Sequence, residues 1–156
     1  MKPFQVNGSL LSDALFRTAT SIVLAGFIAA ALTLAGVDLL TNNPAELDKS
    51  RSWLRELIEL VLVGPLLENS GLFVVGWLIQ RVVRREGLSS LLLAGSFAAL
   101  HALVDVRWGL IILPLFWMMS TALHAHRFGW AAFLSIGMIH ALNNLFSFAL
   151  SHWPFR

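Results

Sequence analysis

Residues 18–37 read TATSIVLAGFIAAALTLAGV, an uncharged stretch of twenty residues between Arg17 and Asp38. At a rise of 1.5 Å per residue, a helix of this length is about 30 Å long, which matches the hydrocarbon core of a bilayer. The whole chain has the same character, because 57% of its 156 residues are hydrophobic and only 13% are charged. Soluble domains are about a quarter charged. The sequence therefore predicts an integral membrane protein.

Four further apolar stretches follow the first. They are residues 60–79, which contain the charged Glu68; residues 88–104, which contain His101; residues 109–123, which contain Pro114; and residues 128–150, which contain His140 and Asn144. Most of the six Trp residues lie near the predicted span ends, where amphipathic rings prefer the headgroup region: Trp53, Trp77, Trp108, Trp130 and Trp153. We expect an all-α transmembrane bundle of about five spans.

The spans form a single predicted membrane domain, residues 1–156. Residues 1–52 supply an N-terminal segment, the first helix and a loop, and residues 53–156 supply a four-helix core. Six Lys and Arg residues fall on the N-terminal face and five on the opposite face, which favours a cytoplasmic N-terminus and an exterior C-terminus. We expect the protein in a bacterial inner (plasma) membrane.

Composition also excludes several kinds of chemistry and partner. The chain has no Cys, which removes disulfides, thiolate metal sites and a cysteine nucleophile together. The formal net charge is only +2, and the basic residues lie between the spans and form no stripe that would follow phosphates. The expected partner is the lipid bilayer, and nucleic acid is not expected.

Glu68 lies in the middle of the second span, where a charged side chain costs at least roughly 2.5 kcal/mol on insertion scales. Counting along the helix puts it about 12 Å from the face that carries the loop of residues 38–52. His101, Asn144 and His140 lie about 5, 9 and 15 Å from that face by the same count. His140 and Asn144 are four residues apart and share one helix face. Three helices can therefore point polar groups into one pocket.

The residue types in this pocket restrict its chemistry. No His-Glu-x-x-His motif is present, and Asp38 and Asp105 lie at span ends, where they do not form the buried pair of an aspartic protease. Ser135 is five residues from His140, off the spacing at which side chains meet on a helix. A Glu and a His can activate a water molecule, while a second His and an Asn amide can donate hydrogen bonds to the oxyanion of a peptide carbonyl.

Three motifs resemble those of the CPBP intramembrane proteases, a family named for its CAAX-processing and bacteriocin-processing members and also called Abi proteins. The family's Pro-preceded Glu-Glu-x-x-x-Arg resembles Pro65-Leu-Leu-Glu68-Asn69-Ser-Gly-Leu-Phe73, its Phe-x-x-x-His matches Phe97 to His101, and its His-x-x-x-Asn matches His140 to Asn144. The resemblance covers residues 60–150. It implies a glutamate-dependent endopeptidase acting on a membrane-anchored peptide or protein. By that similarity Glu68 and His101 activate water, His140 and Asn144 form the oxyanion hole, and no cofactor is needed.

Two positions depart from the family pattern. Asn69 stands where the family has its second Glu, and Phe73 stands where it has Arg, so any role of those groups in orienting the site is missing or altered. Two other functions stay open. Glu68, His101 and His140 are the three N and O ligands that would suit a catalytic zinc ion. A bundle without activity would instead suit an immunity or assembly factor.

The sequence gives four smaller expectations. Gly64 and Pro65 precede Glu68 by one turn and predict a kink that exposes backbone carbonyls. Asn143 is expected to be a structural partner between helices. Asp105, four residues after His101, either orients that ring or is a solvated end residue. His124 and His126 are expected at the membrane interface.

Overall fold

The computed structural model describes residues 8–39 and 52–152. Within these residues all regular structure is helical, so the predicted all-α bundle is confirmed. The elements are α1 (Gly8–Leu34), α2 (Trp53–Ile58), a π-helical turn (Glu59–Val63), α3 (Gly64–Val82), α4 (Glu86–Ala102), α5 (Val106–Ala125) and α6 (Trp130–His152). Most of the loop predicted at residues 38–52, and Trp153, lie outside the described residues.

Four helices in the described segments are long and apolar enough to cross a membrane: Ser9–Leu34, Trp53–Val82, Val106–Ala125 and Trp130–Ser151. The second of these joins α2, the π-helical turn and α3 into one continuous helix. α4 has 17 residues. At 1.5 Å per residue it is about 26 Å long, slightly shorter than the hydrocarbon core. A fifth span formed by α4 therefore stays a prediction.

The hairpin of α4 and α5 is tight because Gly109 lets the two backbones approach closely. A Cβ atom on Gly109 would lie 2.7 Å from the Ala98 carbonyl oxygen and 2.6 Å from the Cβ of Ala102. The Asp105 carboxylate caps the start of α5 by accepting a hydrogen bond from the Arg107 backbone N–H at 2.8 Å. This hairpin holds the last turn of α4, with His101, against the first turn of α5.

The core of the bundle is apolar and lies among α3, α4, α5 and α6. Its large, fully buried side chains are Leu72, Leu93, Phe116, Met119, Leu123, Ile136 and Ile139. α1 packs on the outside of this core, where Arg17 Nη1 donates a hydrogen bond to Thr121 Oγ1 of α5 at 2.6 Å. The outer face of α1 carries Phe16 and Phe27, each 71% exposed. Such exposure is expected for side chains that contact lipid and not water.

The π-helical turn lies immediately before Pro65. Here the Gly64 N–H donates to the carbonyl of Glu59, five residues earlier. Continuing that register would pair the Leu60 carbonyl with residue 65, but proline has no N–H. Asn144 of α6 supplies the missing donor, because its Nδ2 lies 2.8 Å from the Leu60 oxygen. The helix is therefore irregular before Pro65 in the form of a π-helical turn, and the freed Leu60 carbonyl is bonded to α6 and not exposed as predicted.

Candidate active site

The structure brings three of the four predicted site residues together around one carboxylate oxygen. Glu68 lies on α3, His101 on the last turn of α4 and His140 in the middle of α6. Nε2 of His101 is 3.9 Å from Glu68 Oε2, and Nε2 of His140 is 3.8 Å from the same oxygen. Side chains from three helices therefore converge at one point.

The three side chains differ in their access to the surroundings. The Glu68 side chain is 38% exposed, the His101 side chain 16% and the His140 side chain 4%. The carboxylate can therefore be reached from outside the bundle, while His140 forms the inner wall. A water molecule would reach the cluster on the side of Glu68.

His101 is oriented by its own helix and by two aromatic rings. Its Nδ1 lies 2.9 Å from the Phe97 carbonyl oxygen, one turn earlier. Because a carbonyl only accepts, Nδ1 carries the hydrogen, and Nε2 of the neutral ring presents a lone pair. The edge-to-face ring of Trp108 lies 4.7 Å away between centroids, and the ring of Phe116 lies 5.3 Å away. These contacts aim Nε2 at Glu68.

His140 is oriented by Asn69, a residue that sequence reasoning noted only as a departure from the family motif. Asn69 Oδ1 lies 3.0 Å from Nδ1 of His140, and Asn69 is 3% exposed. A polar amide next to Glu68 in the middle of a span needs a buried partner, and that need was the available signal. Phe73, at the family's Arg position, instead joins an aromatic cluster with Phe128 and Phe133 at centroid distances of 5.9 and 6.0 Å.

Asn144, the fourth predicted residue, is held by a backbone group. One N–H of its amide donates to the Leu60 carbonyl. Its other N–H makes no hydrogen bond within the part of the chain that the structure describes. The neighbouring Asn143 accepts a hydrogen bond from Ser21 of α1 at 3.3 Å, which confirms its expected structural role.

Asp105 serves the start of α5. Its carboxylate accepts hydrogen bonds from Arg107 Nε and Nη2, the second at 2.6 Å. The hydrogen-bonding Arg107 side chain lowers the pKa of Asp105 from 3.8 to about 2, so this carboxylate is ionised at neutral pH. Arg107 Nη1 also donates to the carbonyl oxygen of Asp38. Asp105 is thus a helix-end residue, but its side chain is 14% exposed and bonded to Arg107, not solvated as the second expectation had it.

Two further polar residues lie inside the bundle, away from Glu68. Ser135 is fully buried, and its Oγ has no hydrogen-bond partner in the described part of the chain. A serine nucleophile needs contact with a base, so Ser135 does not supply one here. His124 is 8% exposed and packs within the protein.

The described residues contain no group of three or more His, Asp and Glu side chains in metal-holding geometry. In a tetrahedral zinc site with ligand distances near 2.1 Å, neighbouring ligand atoms are roughly 3.4 Å apart. The separations of 3.8 and 3.9 Å around Glu68 Oε2 are wider. A metal ion here would require the side chains to move inward by several tenths of an ångström.

A cavity of about 630 Å³ lies between α1, α5 and α6, next to the site. Its lining is mostly apolar and includes Gly26, Ile111 and Phe146. The lining also contains the polar residues Ser21, Asn143 and Ser147 and the charged pair Asp105 and Arg107. Trp108 lines the cavity and also contacts the ring of His101. The indole of Trp108 is therefore shared by the cavity wall and the surroundings of His101.

Comparison of the chain with protein-family models, with curated proteins and with solved structures finds no match. The geometry around Glu68 and the three short motifs are therefore the features that indicate a function. Both lead to the same residues, since Glu68, His101 and His140 belong to those motifs and lie together in space.

Proposed function

We propose that the protein is a glutamate-dependent intramembrane endopeptidase that hydrolyses a peptide bond of a membrane-associated substrate. One observation carries the proposal: a carboxylate within the bundle is faced by Nε2 atoms of two histidines from two other helices. An ionisable residue inside a membrane span is expensive and usually functional. The resemblance of the three motifs to the CPBP proteases adds support from sequence.

The separations suit a water molecule between the side chains. A distance of 3.9 Å between Glu68 Oε2 and His101 Nε2 is too long for a direct hydrogen bond. One water molecule bonded to both atoms would bridge it. Glu68 removes a proton from this water, and the resulting hydroxide attacks the peptide carbonyl. The free N–H of Asn144 and the Nε2–H of protonated His140 then stabilise the oxyanion.

The decisive experiment compares Glu68→Gln with Glu59→Gln in membranes from expressing cells. Both residues lie on the same continuous helix, and Glu59 pairs with Arg55 at 2.8 Å. New peptide termini identified by mass spectrometry report cleavage. We expect Glu68→Gln to abolish cleavage, since an amide cannot take the proton, and Glu59→Gln to cleave normally. Normal cleavage by Glu68→Gln would refute the proposal, and no cleavage by the unmodified protein would favour a non-catalytic immunity or assembly factor.

The substrate's apolar segment is proposed to occupy the cavity beside Trp108. Gly26 and Gly95 form a matched pair for testing this, because a Cβ atom on either residue meets no atom within 4 Å. Gly26 lines the cavity, whereas Gly95 lies on α4 outside its lining. Gly26→Phe should raise KM several-fold with kcat unchanged, and Gly95→Phe should change neither. Equal effects of the two substitutions would remove the cavity from the proposal.

The protein is proposed to lie in a bacterial plasma membrane with its N-terminus inside and its C-terminus outside, so that the substrate enters from the exterior face. Single cysteines in Asn43→Cys and Arg84→Cys report this orientation, since the natural chain has no Cys. An impermeant thiol reagent on intact cells should label position 43 and spare position 84. The reverse pattern would invert the orientation without affecting the catalytic residues.

A zinc-dependent protease is the second candidate. It is favoured by the hydrogen bonds that both histidines make through Nδ1. His101 bonds the Phe97 carbonyl in this way, and His140 bonds the amide oxygen of Asn69. Metal-binding histidines are usually held in this manner. Zinc would supply Lewis-acid activation of water, with Glu68, His101 and His140 as its ligands. Stoichiometric zinc, together with loss of activity in a chelator and its return on zinc addition, would establish this candidate over the metal-free one.

A further inference from the structure

Asn69 and His140 form a buried pair beside the carboxylate. Asn69 is 3% and His140 4% exposed, and Oδ1 of the amide lies 3.0 Å from Nδ1 of the ring. Asn69 directly follows Glu68 on α3, so one helix supplies both the carboxylate and the group that holds the histidine. The other ring nitrogen, Nε2, faces Glu68 Oε2 at 3.8 Å.

This contact decides which nitrogen of His140 exchanges protons. An amide oxygen only accepts hydrogen bonds, so it keeps a hydrogen on Nδ1 whether the ring is neutral or protonated. Every proton that His140 gains or loses must then pass through Nε2. That nitrogen is the one directed at Glu68.

We propose that Asn69 is a positioning residue that makes His140 the proton carrier between Glu68 and the leaving group. The second half of this statement rests on the proposed peptidase function. Glu68 takes a proton from water and passes it to Nε2 of His140 once the two side chains close their separation of 3.8 Å to hydrogen-bond distance. The protonated ring donates Nε2–H to the oxyanion and then transfers that proton to the leaving nitrogen as its C–N bond breaks. Carboxylate and imidazole both return to their starting states.

The neutral amide suits this role better than a carboxylate at the same position. A buried carboxylate beside His140 would stabilise the protonated ring and retain its proton. It would also place a second negative charge next to Glu68. Asn69 orients the ring without adding charge, which gives a physical meaning to the departure from the family's Glu-Glu pair.

The direct test is ¹⁵N NMR of histidine-labelled protein in lipid nanodiscs, with the His140 signal assigned from His140→Gln. We expect neutral His140 to be protonated at Nδ1 in the natural protein. In Asn69→Leu, which keeps the volume but removes the acceptor, the tautomer with hydrogen on Nε2 should become detectable. Asn69→Asp should restore the hydrogen on Nδ1. Asn143→Leu is the matched control and should leave the His140 signal unchanged.

An unchanged His140 tautomer in Asn69→Leu would overturn the inference. If that variant does not fold, Asn69→Asp still tests it, because its carboxylate oxygen should keep the hydrogen on Nδ1, and a neutral ring protonated at Nε2 in that variant would contradict the proposed role. For Asn69→Leu we expect kcat to fall roughly 10- to 100-fold with KM unchanged. The NMR result stands even if no peptidase activity exists, so failure of the inference and failure of the proposed function are distinguishable.

Discussion

Two buried histidines, His140 in the middle of α6 and His124 in the last turn of α5, differ in their surroundings. They are 4% and 8% exposed. His140 contacts Asn69 through one nitrogen and faces Glu68 with the other. Neither nitrogen of His124 has a hydrogen-bond partner in the described segments, and its ring lies edge-on to Phe128 at 5.2 Å. Burial alone therefore does not distinguish the two histidines. The difference is that His140 faces a carboxylate from another helix.

Two buried serines resemble His124 in having no hydrogen-bond partner among the described residues. Ser120, one turn earlier on α5, and Ser89 of α4 are both fully buried, with no partner for Oγ among the described residues. A buried polar atom without a partner costs about 1–3 kcal/mol. These unpartnered polar groups therefore lower the stability of the fold, whereas His140 and Asn69 satisfy each other's polar atoms.

The largest expected difference is the one between glutamine substitutions of His140 and of His124. His140→Gln should lower kcat by about 10²-fold or more, because it removes the proton-exchanging nitrogen that faces Glu68. His124→Gln should change kcat by less than about twofold, since an effect on chemistry needs contact with the reacting groups. Initial rates on the identified substrate measure both. Comparable losses in the two variants would mean that the Glu68 centre is not the active site.

The next effect concerns the neighbouring amides of α6. Asn144→Ala should reduce kcat by about 10²-fold, because it removes an oxyanion donor, and it should also destabilise the fold by about 1–3 kcal/mol, because the Leu60 carbonyl loses its partner. Asn143→Ala loses the contact with Ser21 and is the control for kcat alone, because Asn143 lines the proposed substrate cavity and lies outside the Glu68 cluster. Kinetics and chemical unfolding separate the two effects. If Asn144→Ala lowers stability alone, its role is confined to the π-helical turn.

A smaller effect is expected on the free energy of unfolding when leucine replaces His124 or His140, and its sign should differ between the two. His124→Leu removes two unpartnered nitrogens from the interior and should leave the free energy of unfolding unchanged or raise it by up to about 2 kcal/mol. His140→Leu breaks the contact with Asn69 and should lower the free energy of unfolding. Unfolding in mixed detergent micelles measures both. Destabilisation by His124→Leu would show that His124 does have a polar partner in the membrane.

The smallest effect lies at the helix end beside His101. The side chain of Arg107 lowers the pKa of Asp105 to about 2, below its value near 3.9 in an unfolded chain. A lowered pKa in the folded state adds stability above the unfolded value, and that contribution is lost as pH falls from about 4 to about 2. Asp105→Asn should therefore be slightly less stable than the natural protein at pH 7. The difference in Tm should disappear near pH 2, and a constant difference would assign the effect to capping alone.

Local patterns in the sequence predicted the helices and most of the candidate site. Uncharged stretches of about twenty residues can satisfy their backbone in lipid only as helices, so the spans follow from composition and length. Glu68, His101 and His140 could be grouped because helical rise converts residue number into depth. Depth does not determine the direction in which each helix turns these side chains, and only the structure shows that the three side chains face one point.

Only the tertiary structure decided what each polar side chain contacts. Asn144 has the right depth for an oxyanion donor, but Pro65 frees the Leu60 carbonyl on another helix and Asn144 binds it. Asn69 looked like a lost glutamate, and its partner lies 71 residues away in sequence, on α6. His124 and His140 are the same residue type in similar apolar spans. Helical periodicity determines which residues can lie together on one helix, whereas the pairing of polar atoms from different helices depends on their packing.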